Sequence, residues 1–117
     1  MASGRLGALK PSAASYKTLY KPAAGVVAVV AIHFCNQATS GDTMRVAVVQ
    51  SGTSDPTPAT TEFIAYGSAV AGSGDSAFGD RGMVGPIELN GSSNDQLVVY
   101  TVGGNVSFVC TGDEGSA

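Results

Sequence analysis

The chain alternates short runs of β-forming residues with turns rich in glycine and proline, and this spacing constrains the fold more than any other feature. From Ser15 onward, the runs recur at intervals of about 8–12 residues, which is typical of a β-sandwich or barrel. No sustained 3.6-residue apolar period supports a long helix. The 117 residues have room for one core. The sequence therefore predicts one all-β domain over residues 15–117, an antiparallel β-sandwich or jelly-roll-like fold of about seven strands.

The turn signals divide this domain into its predicted strands. The Gly103-Gly104 pair predicts a β-hairpin between the last two strands. Pro86 cannot donate to a strand ladder, so its strand is expected at a sheet edge or a bulge. The predicted strands are Tyr16–Tyr20, Val26–Asn36, Thr43–Gln50, Thr61–Tyr66, Met83–Leu89, Gln96–Val102 and Asn105–Thr111.

Residues 1–14 show neither helical nor strand periodicity and contain Pro11 among small residues. Such a segment is typical of an extended or disordered arm, so we expect it to be free in solution and ordered only on a partner. A frayed terminus with no role is the alternative. The residues expected to bind the partner are two cations and two leucines: Arg5, Leu6, Leu9 and Lys10.

The strand Val26–Cys35 is apolar on both of its faces. One face must pack in the core, so a neighbouring subunit is expected to cover the other face, which includes Val27 and Val29. A homotrimer would close around an axis and hide that surface. The long segment Gly67–Arg81 is predicted to be an irregular contact loop, anchored by Val70 and Phe78.

Charge and composition limit the classes of partner and the compartments that the chain fits. The net charge of −3 argues against nucleic acid, because phosphate binding needs a basic surface. No apolar run is long enough to span a bilayer, and the start of the chain does not resemble a secretory signal, so we expect the chain to fold in a reducing compartment. Cys35 and Cys110 are expected to be free buried thiols, with a disulfide as the alternative.

The sequence predicts no enzyme, cofactor or metal site. Its one histidine, His33, lies in the most apolar strand and is expected to be packed or at an interface rather than catalytic. Neither cysteine has the paired spacing of a zinc site. There is no Trp, and the eight Tyr and Phe residues lie mostly within strands, so a carbohydrate-binding module is a minor alternative.

Several short motifs follow one another in a fixed order between about Ser15 and Val109. The motifs are Leu19-Tyr20, Pro22-Ala23-Ala24-Gly25, the apolar run ending in Cys35-Asn36, Arg45-Val46-Ala47-Val48, Phe63-Ile64-Ala65-Tyr66, Asp95 with Leu97, Val99 and Tyr100, and Asn105-Val106-Ser107-Phe108. Through these motifs the chain resembles small β-sandwich virion proteins of tailed bacteriophages, a group that includes capsid decoration proteins and tail or fibre components. The basic arm, the Pro56/Pro58 loop and the tail lie outside the resemblance.

The resemblance implies a non-enzymatic structural protein that is made in the host cytoplasm and lies on the capsid surface of a virion. The expected role is that of a decoration, or cement, protein that binds and stabilises the lattice of the major capsid protein. The arm favours decoration, because a segment that orders on a neighbour would cement adjacent subunits. The alternative is a tail or fibre attachment domain that binds a host receptor or another tail protein.

Overall fold

The computed structural model describes residues 2–73 and 80–116. These residues form an all-β domain in which two four-stranded antiparallel sheets pack face to face. A short 3₁₀ helix, Gly91–Ser93, links the sixth strand to the seventh. The strands are β1 (Ser3–Leu9), β2 (Lys17–Tyr20), β3 (Val26–Asn36), β4 (Asp42–Gln50), β5 (Phe63–Val70), β6 (Arg81–Asn90), β7 (Asp95–Thr101) and β8 (Val106–Ser116).

Sheet A has the strand order β1-β8-β3-β6, and sheet B has the order β2-β7-β4-β5. The chain changes sheet at almost every connection, and only β4 and β5 follow one another within a sheet. Within the described ranges, no helix is long and apolar enough to cross a bilayer. The predicted β-sandwich is confirmed, with one strand more than expected.

The core lies between the two sheets and is built from alternate residues of the central strands. The inward residues of β3 are Ala28, Val30 and Ile32, and β8 adds Phe108. From the other sheet, Met44, Val46, Leu97 and Val99 face them. This alternation is what period-2 patterning predicts for strands with one face in a core.

The predicted bounds of β3 are confirmed residue for residue, and β6, the strand of Pro86, lies at the edge of sheet A. The predicted end of β5 at Tyr66 is wrong, because the strand continues to Val70. Gly67 has a φ of +67° and is the extra residue where the β4–β5 register shifts. A glycine in this conformation forms a β-bulge within a strand, so the residue that signals a turn in the sequence does not end β5.

The predicted β7–β8 hairpin is also wrong, because these strands lie in different sheets. Of the two glycines in the connection, only Gly104 has a positive φ, whereas a type I′ hairpin turn needs two such residues. The buried carboxylate of Asp42 on β4 accepts hydrogen bonds from the backbone N–H groups of Gly103 (2.8 Å) and Asn105 (3.1 Å). The connection is therefore an arch that is held by a third strand and carries the chain from sheet B to sheet A.

The segment predicted to be a partner-ordered arm contains a strand of the domain itself. Ser3–Leu9 forms β1, which pairs antiparallel with β8 at the edge of sheet A. The register shifts between Arg5 and Gly7, so a bulge interrupts the alternation that would identify a strand in the sequence. A Cβ atom at Gly7 would clash with the carbonyl oxygen of Leu19, so this glycine permits the close approach of β1 to β2.

Candidate functional site

The outer face of sheet A is the first candidate surface. Val27, Val29 and Ala31 follow one another along this face of β3, and Val29 is 50% exposed. The residues paired with Val29 are Glu88 on β6 and Asp113 on β8, both exposed. Val27 and Ala31 are half-buried and Val29 is exposed, so β3, one of the two central strands of the sheet, presents an apolar row between two carboxylates.

His33 extends the same face. It is exposed and pairs with Met83 and Val109, and Met83 is 59% exposed. Its Nε2 atom lies 3.2 Å from the Oγ1 atom of Thr111, within hydrogen-bonding distance. The histidine is thus not packed in the core, and its predicted place at an interface stays a prediction.

The predicted partner-binding residues of the N-terminal segment differ in their exposure. Leu6 and Leu9 are partly buried and pack against the chain's own core, and their contact with a partner stays a prediction. The domain itself therefore covers part of the apolar surface of these two leucines. Arg5 and Lys10 are exposed, and their contact with a partner stays a prediction.

The two predicted anchors of the contact loop do not lie on a described surface. Val70 is 1% exposed and belongs to the core, so it is not a surface anchor. Phe78, the other anchor, lies outside the described residues.

The two cysteines are both free, and they differ in burial. Cys110 points into the core, where desolvation raises the pKa of its thiol to about 11. Cys35 is exposed, so the prediction that it is buried is wrong. Cys110 pairs with Ile32, an inward residue of β3. Cys35 follows Ile32 by three positions and therefore points to the opposite face, which separates the two thiols.

The outer face of sheet B carries the second candidate surface, an aromatic cluster of Tyr16, Phe63, Tyr66 and Tyr100. Tyr16 lies 4.5 Å from Tyr100 and 6.2 Å from Phe63, measured between ring centroids. Phe63 meets Tyr66 edge to face at 4.9 Å. Beneath the cluster, Ala47, Val49 and Val98 form a small second core.

Arg45 of β4 lies within this cluster. Its guanidinium carbon is 4.2 Å from the centroid of the Tyr66 ring and 4.5 Å from that of Tyr100. Its Nη1 atom donates a 2.7 Å hydrogen bond to the hydroxyl of Tyr16, which is the main cause that raises the pKa of the guanidinium. The register explains the arrangement, because Arg45 pairs with Tyr66 on β5 and with Tyr100 on β7.

A groove of about 490 Å³ runs along the cluster and is lined by Tyr16, Pro58, Thr60, Phe63 and Tyr66. Two of these residues come from the β4–β5 loop, which hydrogen bonds hold at both ends. Buried Gln96 donates to the carbonyl groups of Ser51 and Thr53 at 2.8 Å each. At the other end, the Glu62 carboxylate accepts from the backbone N–H groups of Ala59 and Gln50.

None of the residues in this cluster is among the predicted site residues. Its members, with Arg45, come from β4, β5, β7 and the segment before β2, and only strand pairing brings them together. The one available signal was parity: Arg45 shares a face of β4 with Ala47 and Val49 rather than with Met44 and Val46. That face is covered within the chain by Tyr16 and Phe63, which pack against Ala47 and Val49.

The described residues contain no group of three or more His, Cys, Asp or Glu side chains that could hold a metal ion. No family model, curated protein or solved structure matches the chain, so the functional interpretation depends on these two surfaces.

Proposed function

We propose that this protein is a non-enzymatic structural subunit that binds a larger assembly through the outer face of sheet A. The observation that supports the proposal is the apolar row on β3, where Val29 is 50% exposed on a central strand of a sheet. A strand buried on one side and apolar on the other is typical of a sheet that meets a second layer. In this proposal the second layer is the same face of neighbouring copies in a homotrimer, and the trimer is the unit that attaches to the larger assembly.

The setting proposed for this assembly is the capsid of a tailed bacteriophage, with the protein as a decoration protein on the major capsid protein lattice. The family resemblance of the strand motifs supports this setting. The chemistry of the face also fits it, since an apolar centre with a charged rim is the usual anatomy of a protein interface. Here the rim contains Glu88 and Asp113 beside the row, and Arg5 on β1.

Attachment to particles tests the proposal through the variant Val29→Lys. In the free protein the new ammonium would lie between Glu88 and Asp113, where opposite charges on adjacent strands are favourable, so the fold should be retained. At an apolar interface the same charge is costly to bury. We expect co-sedimentation with capsids to fall at least tenfold.

Val102→Lys is the matched control, because Val102 is 54% exposed and lies in the β7–β8 connection, away from the outer face of sheet A. It should attach as the unmodified protein does. Full attachment of Val29→Lys, with an unchanged melting temperature, would contradict the proposal.

A tail or fibre attachment domain is the second candidate, and the aromatic groove on sheet B favours it, since receptor binding needs a recessed site with polar groups. Location separates the two candidates. A reconstruction of the virion with copies across the icosahedral lattice supports decoration, whereas copies confined to the tail support attachment.

A further inference from the structure

The charged residues on the outer face of sheet A are sorted along its strands. Glu88 on β6 and Asp113 on β8 are exposed beside Val29 and form an acidic end. Arg81 on β6 is exposed beside Cys35, six positions further along β3. Six positions of a strand span roughly 20 Å, at about 3.3 Å per residue. Within the described ranges, neither carboxylate of the acidic end forms an ion pair.

Two more cations lie on or beside β1. Lys10 directly follows Leu9, whose pairing with Phe108 places it at the same end of the sheet as Arg81. Arg81 and Lys10 are both exposed, and together they form a basic end. Arg5 is also exposed and lies between the two ends, because it pairs with the middle of β8. The outer face therefore carries opposite charges at its two ends.

The surface between the two ends is mostly apolar. Met83, which is 59% exposed, and Val109 pair with His33 from either side. Ala31 connects this group to Val29 along β3. An apolar strip with opposite charges at its ends is complementary to a second copy of itself, provided that unlike ends meet.

A closed trimer satisfies this condition, because each copy in a ring has two neighbours and offers a different patch to each of them. Three faces roughly 20 Å long that meet end to end form a triangle whose sides lie about 6 Å from its centre. This distance is close to half of the roughly 10 Å that separates packed sheets. The apolar strips of three copies would therefore fill the centre of the ring.

We propose that the homotrimer assembles head to tail, so that the acidic end of each copy binds the basic end of the next. This inference rests on the proposed function, and it adds the residues that select the partner copy and its orientation. If like ends met instead, carboxylates from three copies would converge at an interface without counter-charges, which is unfavourable.

Charge reversal, followed by sedimentation equilibrium, tests this arrangement. Glu88→Arg and Arg81→Glu should each raise the chain concentration at half-assembly at least tenfold, because like charges then meet at all three contacts. The double variant with both changes should return to within threefold of the unmodified chain. Added salt should weaken the trimer of the unmodified chain and strengthen that of each single variant, since salt screens attraction and repulsion alike.

A mixture of the two single variants distinguishes a ring of three from a twofold dimer. One chain of each kind satisfies both charged contacts of a dimer, whereas a ring of three always contains one contact between identical variants. An equimolar mixture should therefore remain poorly assembled. A stable particle of twice the chain mass in that mixture would overturn the ring.

Lys21→Glu is the matched control for Arg81→Glu, because it makes the same charge change at an exposed position directly after β2 of sheet B. It should assemble as the unmodified chain does. Melting temperatures show whether each variant is folded. The salt dependence of the unmodified chain tests the charged contacts even if Arg81→Glu fails to fold.

Two results would contradict the head-to-tail arrangement alone. Glu88→Arg could assemble more tightly than the unmodified chain, which would show that like ends meet. Alternatively, Val29→Lys could disrupt the trimer while neither charge reversal changes it. A monomeric unmodified chain would contradict the proposed function as well.

Discussion

At the scale of single residues, the pair Tyr20–Glu114 joins the two sheets at one end of the sandwich. The Tyr20 hydroxyl, from sheet B, donates a short hydrogen bond to the carboxylate of Glu114, from sheet A. Glu114 also accepts from the backbone N–H of Ala2 at 3.1 Å. Burial, followed by the contact with Glu114, raises the pKa of Tyr20, and the same hydrogen bond lowers the pKa of Glu114.

These shifts predict a pH dependence that Tyr20→Phe reduces. The folded-state pKa of Glu114 is lowered, so its contribution to stability is present above its unfolded value of about 4.5 and is lost as pH falls through the folded pKa. The folded-state pKa of Tyr20 is raised, so its contribution is present below about pH 10 and is lost as pH rises above that value.

The measurement is the melting temperature of both proteins between pH 3 and pH 11. Tyr20→Phe should melt a few degrees lower at pH 7 and should lose less stability than the unmodified protein at either extreme. Parallel curves for the two proteins over the whole range would show that this pair does not link the sheets.

At the scale of elements, the contribution of β1 to stability distinguishes a tether from a part of the fold. Leu6 and Leu9 pack on the core, and β1 covers the edge of β8. We expect Leu6→Ala and Leu9→Ala each to lower the free energy of unfolding by about 1–2 kcal/mol, less than for a fully buried leucine. Arg5→Ala, at an exposed position of the same strand, is the control and should change it by less than about 0.5 kcal/mol.

Urea denaturation measures these differences, and co-sedimentation with capsids is measured alongside. A tether would behave in the opposite way: the leucine variants would keep their urea midpoint and lose attachment. That result would restore the interpretation of residues 1–14 as an arm.

At the scale of the whole molecule, the outer face of sheet A predicts self-association. A closed trimer would bury the row around Val29, and it should sediment at three times the 11.6 kDa mass of the chain. Val29→Lys should shift the protein toward the monomer at micromolar concentration, whereas Val102→Lys should not. A monomer for the unmodified chain at that concentration, with no aggregation, would contradict the trimer.

Local patterns in the sequence locate most of the strands. Alternating apolar residues and turn residues are local signals, so β3 has its predicted bounds and Pro86 lies on an edge strand. The apolar parity of β3 also identified the surface that includes Val29, because side chains on a strand alternate between faces by geometry alone. At bulges the local signals fail, since one extra residue at Gly67 or near Leu6 breaks the alternation without ending the strand.

The pairing of the strands and the contacts of each sheet face depend on the three-dimensional fold. Gly103-Gly104 has the sequence pattern of a hairpin turn. The connection is instead held by hydrogen bonds to Asp42, about sixty positions earlier, and β8 lies in the other sheet. In the same way, Arg45 acquires its aromatic neighbours through the pairing of β4 with β5 and β7. Strand formation depends on residues next to one another in the chain, whereas pairing depends on contacts between distant residues, for which a single sequence carries no local pattern.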